Sequence, residues 1–216
     1  MNNLFDLDSP VMQKLSLLMD LLFLNFLWLI CSLPVVTIGA STTALHAVVQ
    51  KYVSNEDSGI VKPFFRAFCK NFRQSTMLWI PVLLLIAVLV MDLLYLFIAG
   101  SGAQSWLWIP FVAVCVVTMV LITYGFPLIA RYENDTATVI RNSFLLVLTH
   151  FIPSLAVLAV NALPWVLLLL YPEVFIRTSI VWVLVGGSLI AYISNRIQLP
   201  IFRLYDVDPA NDTDDE

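Results

Sequence analysis

Four polar side chains interrupt long apolar blocks in this 216-residue sequence: Asp20, Asn25, Asp92 and Asn161. A carboxyl group in hydrocarbon is costly unless it holds a proton or a cation or meets a partner, so such residues are functional candidates. In one reading Asp20 and Asp92 are proton or cation sites and the two asparagines extend a polar path. In the other, all four make hydrogen bonds between helices or sit near an interface. A proton-coupled transporter usually carries a denser set of intramembrane charges, which weighs toward the second reading. His46 and His150 fall near the ends of apolar blocks.

A second set has a different chemistry. Residues 60–75 read IVKPFFRAFCKNFRQS. At about 100° per residue, Lys62, Arg66, Lys70 and Arg73 fall within roughly 80° of one another, and Phe64, Phe65, Phe68 and Phe72 within roughly 100° on nearly the opposite side. That segregation predicts a helix lying in the interface, with phenylalanines in the acyl boundary and the four basic residues at anionic headgroups. The alternative packs the phenylalanine face on the protein's own bundle. No nucleic acid is expected to bind a segment tied at both ends to membrane spans.

Other chemistries lack their residues. There is no His-Glu-x-x-His, no Gly-x-Ser-x-Gly, no glycine-rich phosphate loop and no clustered Asp/His set. Cys31, Cys69 and Cys115 have no metal-ligand spacing, and two histidines leave little for acid–base or metal work. No enzyme activity, cofactor or metal is therefore expected.

The elements that must position these residues follow from composition. Sixty percent of the chain is hydrophobic and 12% charged, with a mean hydropathy of +0.90, whereas a soluble domain carries about 25% charged residues. An all-α polytopic membrane bundle is the expected class. The net charge of −4 is dominated by Asp206, Asp208, Asp212, Asp214, Asp215 and Glu216; without those six acids the chain is +2. The chain thus divides into one membrane domain, 1–205, and a solvated, disordered acidic tail, 206–216. The first apolar run lacks a basic leader and a small-residue cleavage site, so it is expected to stay as an anchor.

Five blocks supply the roughly 20 apolar residues a crossing needs: 15–33, 76–99, 105–129, 145–171 and 176–194. The run at 35–53, VVTIGASTTALHAVVQKYV, is a sixth, rich in small hydroxyl residues that allow close helix contact. Six spans place both termini in the cytoplasm and ten of the eleven basic residues on that side, only Arg177 facing outward. Five spans, the alternative, move Lys14 to the outside as well. The pairs Lys51/Tyr52, Arg131/Tyr132 and Arg203/Tyr205 each leave an apolar segment through a base, a tyrosine and then an acid, which favours three loosely repeated hairpins. A tight turn at Pro34 then leads into a second span, and 60–75 is the interfacial helix between the second and third.

From Asn25-Phe26-Leu27-Trp28 through Leu33-Pro34-Val35-Val36-Thr37-Ile38-Gly39 to Ala44-Leu45, the chain resembles the bacterial YesL-like membrane proteins, a family of unknown function. The Phe-rich basic stretch 64–72, Gly125 to Tyr132, and Arg141-Asn142 are similar to family positions too. The resemblance covers most of the chain and stops before the tail. It implies a multi-pass protein of a bacterial cytoplasmic membrane. Because genes of the family often lie beside sugar importers, it also implies a non-catalytic accessory or assembly role in carbohydrate ABC import, with permease subunits as partners. A small solute transporter is the alternative. The family carries no site residues over to this chain.

Overall fold

Helices end in this chain where a proline or a polar turn interrupts the backbone ladder. The computed structural model describes residues 10–56, 59–99 and 108–206. α1 (Pro10–Cys31) is closed by Thr37, whose hydroxyl donates to Cys31 O at 2.6 Å and to Pro34 O at 2.7 Å. A single 3₁₀ turn, Val35–Thr37, leads into α2 (Ile38–Val53). α3 (Val61–Ala99) admits Pro63 because the first helical turn has no partner for its N–H. α4 (Trp108–Val120) continues through a π-helical turn, Leu121–Gly125, into α5 (Phe126–Arg131). α6 (Thr136–Thr149) starts on the Asp135 cap, and the backbone breaks at His150 (φ −121°, ψ 56°) before α7 (Phe151–Leu170). The short α8 (Pro172–Arg177) and α9 (Ser179–Val181) lead through a second π turn, Trp182–Gly186, into α10 (Gly187–Arg203). Among the described residues there is no strand, and the molecule is the expected all-α polytopic bundle.

Successive long elements alternate in direction. Ser32 and Ser41 meet at 2.6 Å, so α2 runs back along α1. Lys70 pairs with Glu133 and Arg131 with Asp206, while Arg203 Nη2 reaches Ser54 Oγ at 3.2 Å. The three basic-tyrosine exits read in the sequence therefore gather at one end of the bundle. α6 lies across that end: Gln74 donates to Asn134 O beside its start, and the His150 ring packs on Tyr205 after its finish, centroids 5.9 Å apart.

Two expected elements take another form. Residues 60–75 are not a separate interfacial helix but the first part of α3. No glycine or proline lies between Phe64 and Ile80 to stop the ladder, and 39 residues reach about 58 Å, nearly twice a hydrocarbon core. The helix must project from the bilayer at one end, and its charged end is the one suited to do so. Secondly, five helices are long and apolar enough to cross: Lys14–Cys31, Val61–Tyr95, Trp108–Arg131, Phe151–Leu170 and Ser179–Arg203. That is the count of the five-span alternative. α2, the expected sixth, has 16 residues and a reach of about 24 Å. It accompanies only the first half of α3, because its leading turns already touch Ser75 and Trp79. The block read as 145–171 is likewise divided at His150, and the last helix runs on to Arg203. Of the tail, only Asp206 is among the described residues; the remainder, and residues 100–107, lie outside them.

The core has two centres. Leu24, Ala44, Leu45, Val48, Val49, Phe64 and Ala191 join α1, α2, α3 and α10. Leu78, Trp79, Val82, Tyr124, Phe126 and Phe202 join α3, α5 and α10. Gly39 makes the α2–α3 crossing possible, since a Cβ there would stand 2.7 Å from both Ser75 O and Trp79 Cβ. Outward faces remain apolar: Met19, Phe26, Ile80, Leu84, Met91, Ile109 and Leu169 are all more than half exposed, as lipid-facing positions of a membrane bundle are.

Candidate functional site

The polar residues read from the apolar blocks do not converge. Asn25 is completely buried in α1. Its Nδ2 donates to Val183 O at 2.7 Å, and its Oδ1 accepts from Ser188 N at 3.0 Å. Those two backbone groups are five residues apart, the spacing a π-type ladder would join directly. The carboxamide is thus inserted into the backbone of the last helix at its π turn. Ser188 completes the seam by donating to Leu21 O at 2.8 Å. Asn161 sits elsewhere, on α7, donating to Val157 O and to Ser194 Oγ at 3.0 Å. Asp20 and Asp92 are half-buried and make no hydrogen bond or ion pair among the described residues. Asp20 lies one turn from Leu24, which shares a core centre with Phe64; Asp92 lies about 40 Å further along α3. No single cavity collects the four.

Apart from His46, read near the end of its block, several inward polar residues were not singled out in the sequence. His46 Nδ1 and Asn195 Nδ2 are 2.7 Å apart between α2 and α10. Gln50 Nε2 donates to Pro127 O at 3.0 Å, and Gln198 Nε2 to Thr123 O at 2.9 Å. Thr43 and Ser75 meet at 2.8 Å, Tyr124 and Ser154 at 2.6 Å. One signal was available: Pro127 inside a span supplies no N–H to the carbonyl four residues back, Thr123 O, so a side-chain donor was required. Three buried oxygens, Thr123 Oγ1, Asn195 Oδ1 and Gln198 Oε1, accept or donate no hydrogen bond. Among the described residues no three of His, Cys, Asp and Glu are grouped as metal ligands.

Charge collects instead at the end where α2 finishes and α3 begins. Lys51, Lys62, Arg66, Lys70 and Arg131 line one cleft of about 340 Å³, with Glu133 as its one acid. Small side chains, Ala47, Pro63, Ala67 and Ala130, leave the space between them. Of the four basic residues expected at a lipid surface, Lys62, Arg66 and Lys70 are exposed and face this cleft, whereas Arg73 is exposed but does not line it. The phenylalanine face divides: Phe64 is completely buried against α1 and α2, Phe68 is half-buried, and Phe65 and Phe72 are exposed. A larger cleft of about 790 Å³ opens between α5, α6 and the end of α10, with Leu146 and Phe202 in its wall. Arg131 and Tyr132 border both. The Arg131 hydrogen bond holds the Asp206 carboxyl below the usual carboxylate range, and burial together with Asp206 pushes the Tyr132 hydroxyl up to about 12.

The residues of the opening motif have structural duties. Asn25 seals the π turn, Trp28 Nε1 donates to Thr42 Oγ1 at 3.2 Å, Thr37 closes α1, and Gly39 admits α3. The segment that holds them, residues 21–93, matches the family described as protein of unknown function, DUF624. Over 193 residues the chain is 27% identical to the uncharacterized protein YesL of Bacillus subtilis (strain 168), an alignment that covers 87% of each chain. No solved structure matches it. The two matches, one including the motif and one running through most of the chain, support a likeness to the YesL-like proteins of unknown function.

Proposed function

We propose that this is a non-catalytic accessory protein of a bacterial cytoplasmic membrane, with its basic end in the cytoplasm as its working surface, serving the assembly or support of a carbohydrate ABC importer. One observation carries the non-transporting part of this reading: Asn25, Asn161 and His46 bond in separate seams between helices, and Asp20 and Asp92 stand far apart, rather than lining one path. The orientation follows from the gathering of Lys51, Lys62, Arg66, Lys70, Arg131 and Arg203 at a single end, the side the positive-inside rule assigns to the cytoplasm. The link to sugar import rests on the family resemblance. Mild-detergent purification of the tagged protein from its native membrane tests it: permease subunits of a sugar importer should co-purify. Recovery of intact bait without any importer component overturns it.

A second reading, a small solute transporter, is favoured by the three buried oxygens of Thr123, Asn195 and Gln198, since unpaired acceptors inside a bundle suit a passing polar solute. Sugar flux into proteoliposomes that is lost in Gln198→Leu supports it. Flat flux for the wild-type protein removes it.

A further inference from the structure

We propose that the cleft between the end of α2, the start of α3 and the end of α5 is a binding site for a phosphate group carried on a small polar moiety. The site stands independently of the accessory role, because it is assembled and tested in the isolated protein.

Three separate elements bring their basic residues to it. Lys51 comes from the last turn of α2, Lys62, Arg66 and Lys70 from successive turns of one α3 face, and Arg131 from the last turn of α5. Two of these charges already have partners, Lys70 in Glu133 and Arg131 in Asp206. Among the described residues no carboxylate stands within ion-pair distance of Lys51, Lys62 or Arg66. Three like charges held around one concavity repel each other, and an anion placed between them converts that cost into attraction. The start of the 39-residue α3 adds the positive end of its dipole on the same side.

The donor set selects the anion. A guanidinium fork from Arg66 with two ammonium groups offers several N–H donors from different directions, which suits a tetrahedral phosphate with three free oxygens better than a planar carboxylate. A volume of about 340 Å³ exceeds a bare phosphate and leaves room for a glycerol- or hexose-sized group. Asn71 provides a neutral amide in the lining for such a group's hydroxyls. Either a soluble phosphate monoester or the headgroup of an anionic lipid presents this chemistry.

The experiment has two arms and one internal control. Purified full-length protein in neutral detergent is titrated with glycerol 3-phosphate by calorimetry, and in parallel with phosphatidylcholine vesicles with or without phosphatidic acid. Lys51→Gln, Lys62→Gln and Arg66→Gln are compared with Arg73→Gln, which removes the same charge from α3 outside the cleft. Each cleft variant should weaken binding about tenfold, Arg66→Gln the most, and Arg73→Gln by less than about twofold. Arg66→Lys should restore only part of the loss. Saturable binding of glycerol 3-phosphate with this ranking identifies a soluble ligand; the same ranking seen only with phosphatidic acid identifies a headgroup. The proposal fails if neither probe binds, if glycerate binds as well as glycerol 3-phosphate, or if Arg73→Gln weakens binding as much as Arg66→Gln. Lys62, Arg66 and Arg73 are exposed and Lys51 is half-buried, so a monodisperse elution profile identical to wild type accompanies each titration.

Discussion

Replacing Asn25 tests whether the buried polar residues are seams or a path. Asn25→Ala leaves Val183 O and Ser188 N without their partner in a fully buried place. An orphaned buried group costs about 1–3 kcal/mol in soluble proteins, whereas interhelical hydrogen bonds in membranes average about 0.6 kcal/mol. The two orphans stand in π register and can recover part of the loss by bonding to each other. The expected destabilisation is therefore about 2 kcal/mol, a fall of roughly 4–8 °C in Tm for a chain of this size. Asn25→Asp should be worse than alanine, because it keeps the acceptor for Ser188 N but sets a buried carboxylate against Val183 O. Asn161→Ala should cost less than Asn25→Ala, since one of its two bonds is to its own helix. Asp20→Asn and Asp92→Asn, with no partner to lose among the described residues, should stay within about 0.5 kcal/mol of wild type. Thermal unfolding in one detergent, followed by circular dichroism, ranks the variants. Wild-type stability in Asn25→Ala, or a larger effect from either aspartate, refutes the seam.

Three further expectations follow from particular contacts. Gly39→Ala forces a Cβ against the backbone carbonyl of Ser75, which cannot swing aside, so the folded yield should drop sharply on size exclusion, with a cost of about 1–3 kcal/mol. Asp206 has a depressed carboxyl, so its contribution to stability is complete above the ordinary value of about 3.9 and is lost as the pH falls through its lower folded value. An acid series of Tm measurements should accordingly show a steeper decline below about pH 4 in wild type than in Asp206→Asn. If α3 is one helix, spin labels on exposed positions 66 and 84 should be separated by about 27 Å, the rise of 18 helical residues; a bend at residues 74–76 shortens that distance.

The class of the molecule was legible because 60% hydrophobic residues arranged in five long blocks have no soluble solution. Asn25 was legible as a residue that needs a partner, but not its role, since nothing in the sequence marks a π turn 158 residues away. The extent of α3 was not read because apolar length locates where a helix enters lipid, not where it starts; the ladder continues through Gln74 and Ser75 at no cost. For α2, small residues were correctly read as close-contact positions, yet closeness served packing on the first half of α3 rather than a full crossing. The basic residues of α3 were visible as one helix face. Their meeting with Lys51 and Arg131 was not, because it depends on how α2 and α5 end beside α3. His46 was noticed near the end of its block, but its partner Asn195 and the Gln198–Thr123 bond are long-range matches that periodicity cannot supply.

The central claim, that the basic end is where this protein meets an importer, is tested most directly by photo-crosslinking in the native membrane. A photoreactive residue is placed at position 62, on the rim of the basic cleft, or at position 91, on the exposed far half of α3. Irradiation should yield a discrete adduct containing an importer permease subunit from position 62 and no such adduct from position 91. Adducts to a permease from position 91 alone, or none from either position with full-length protein present, would contradict it.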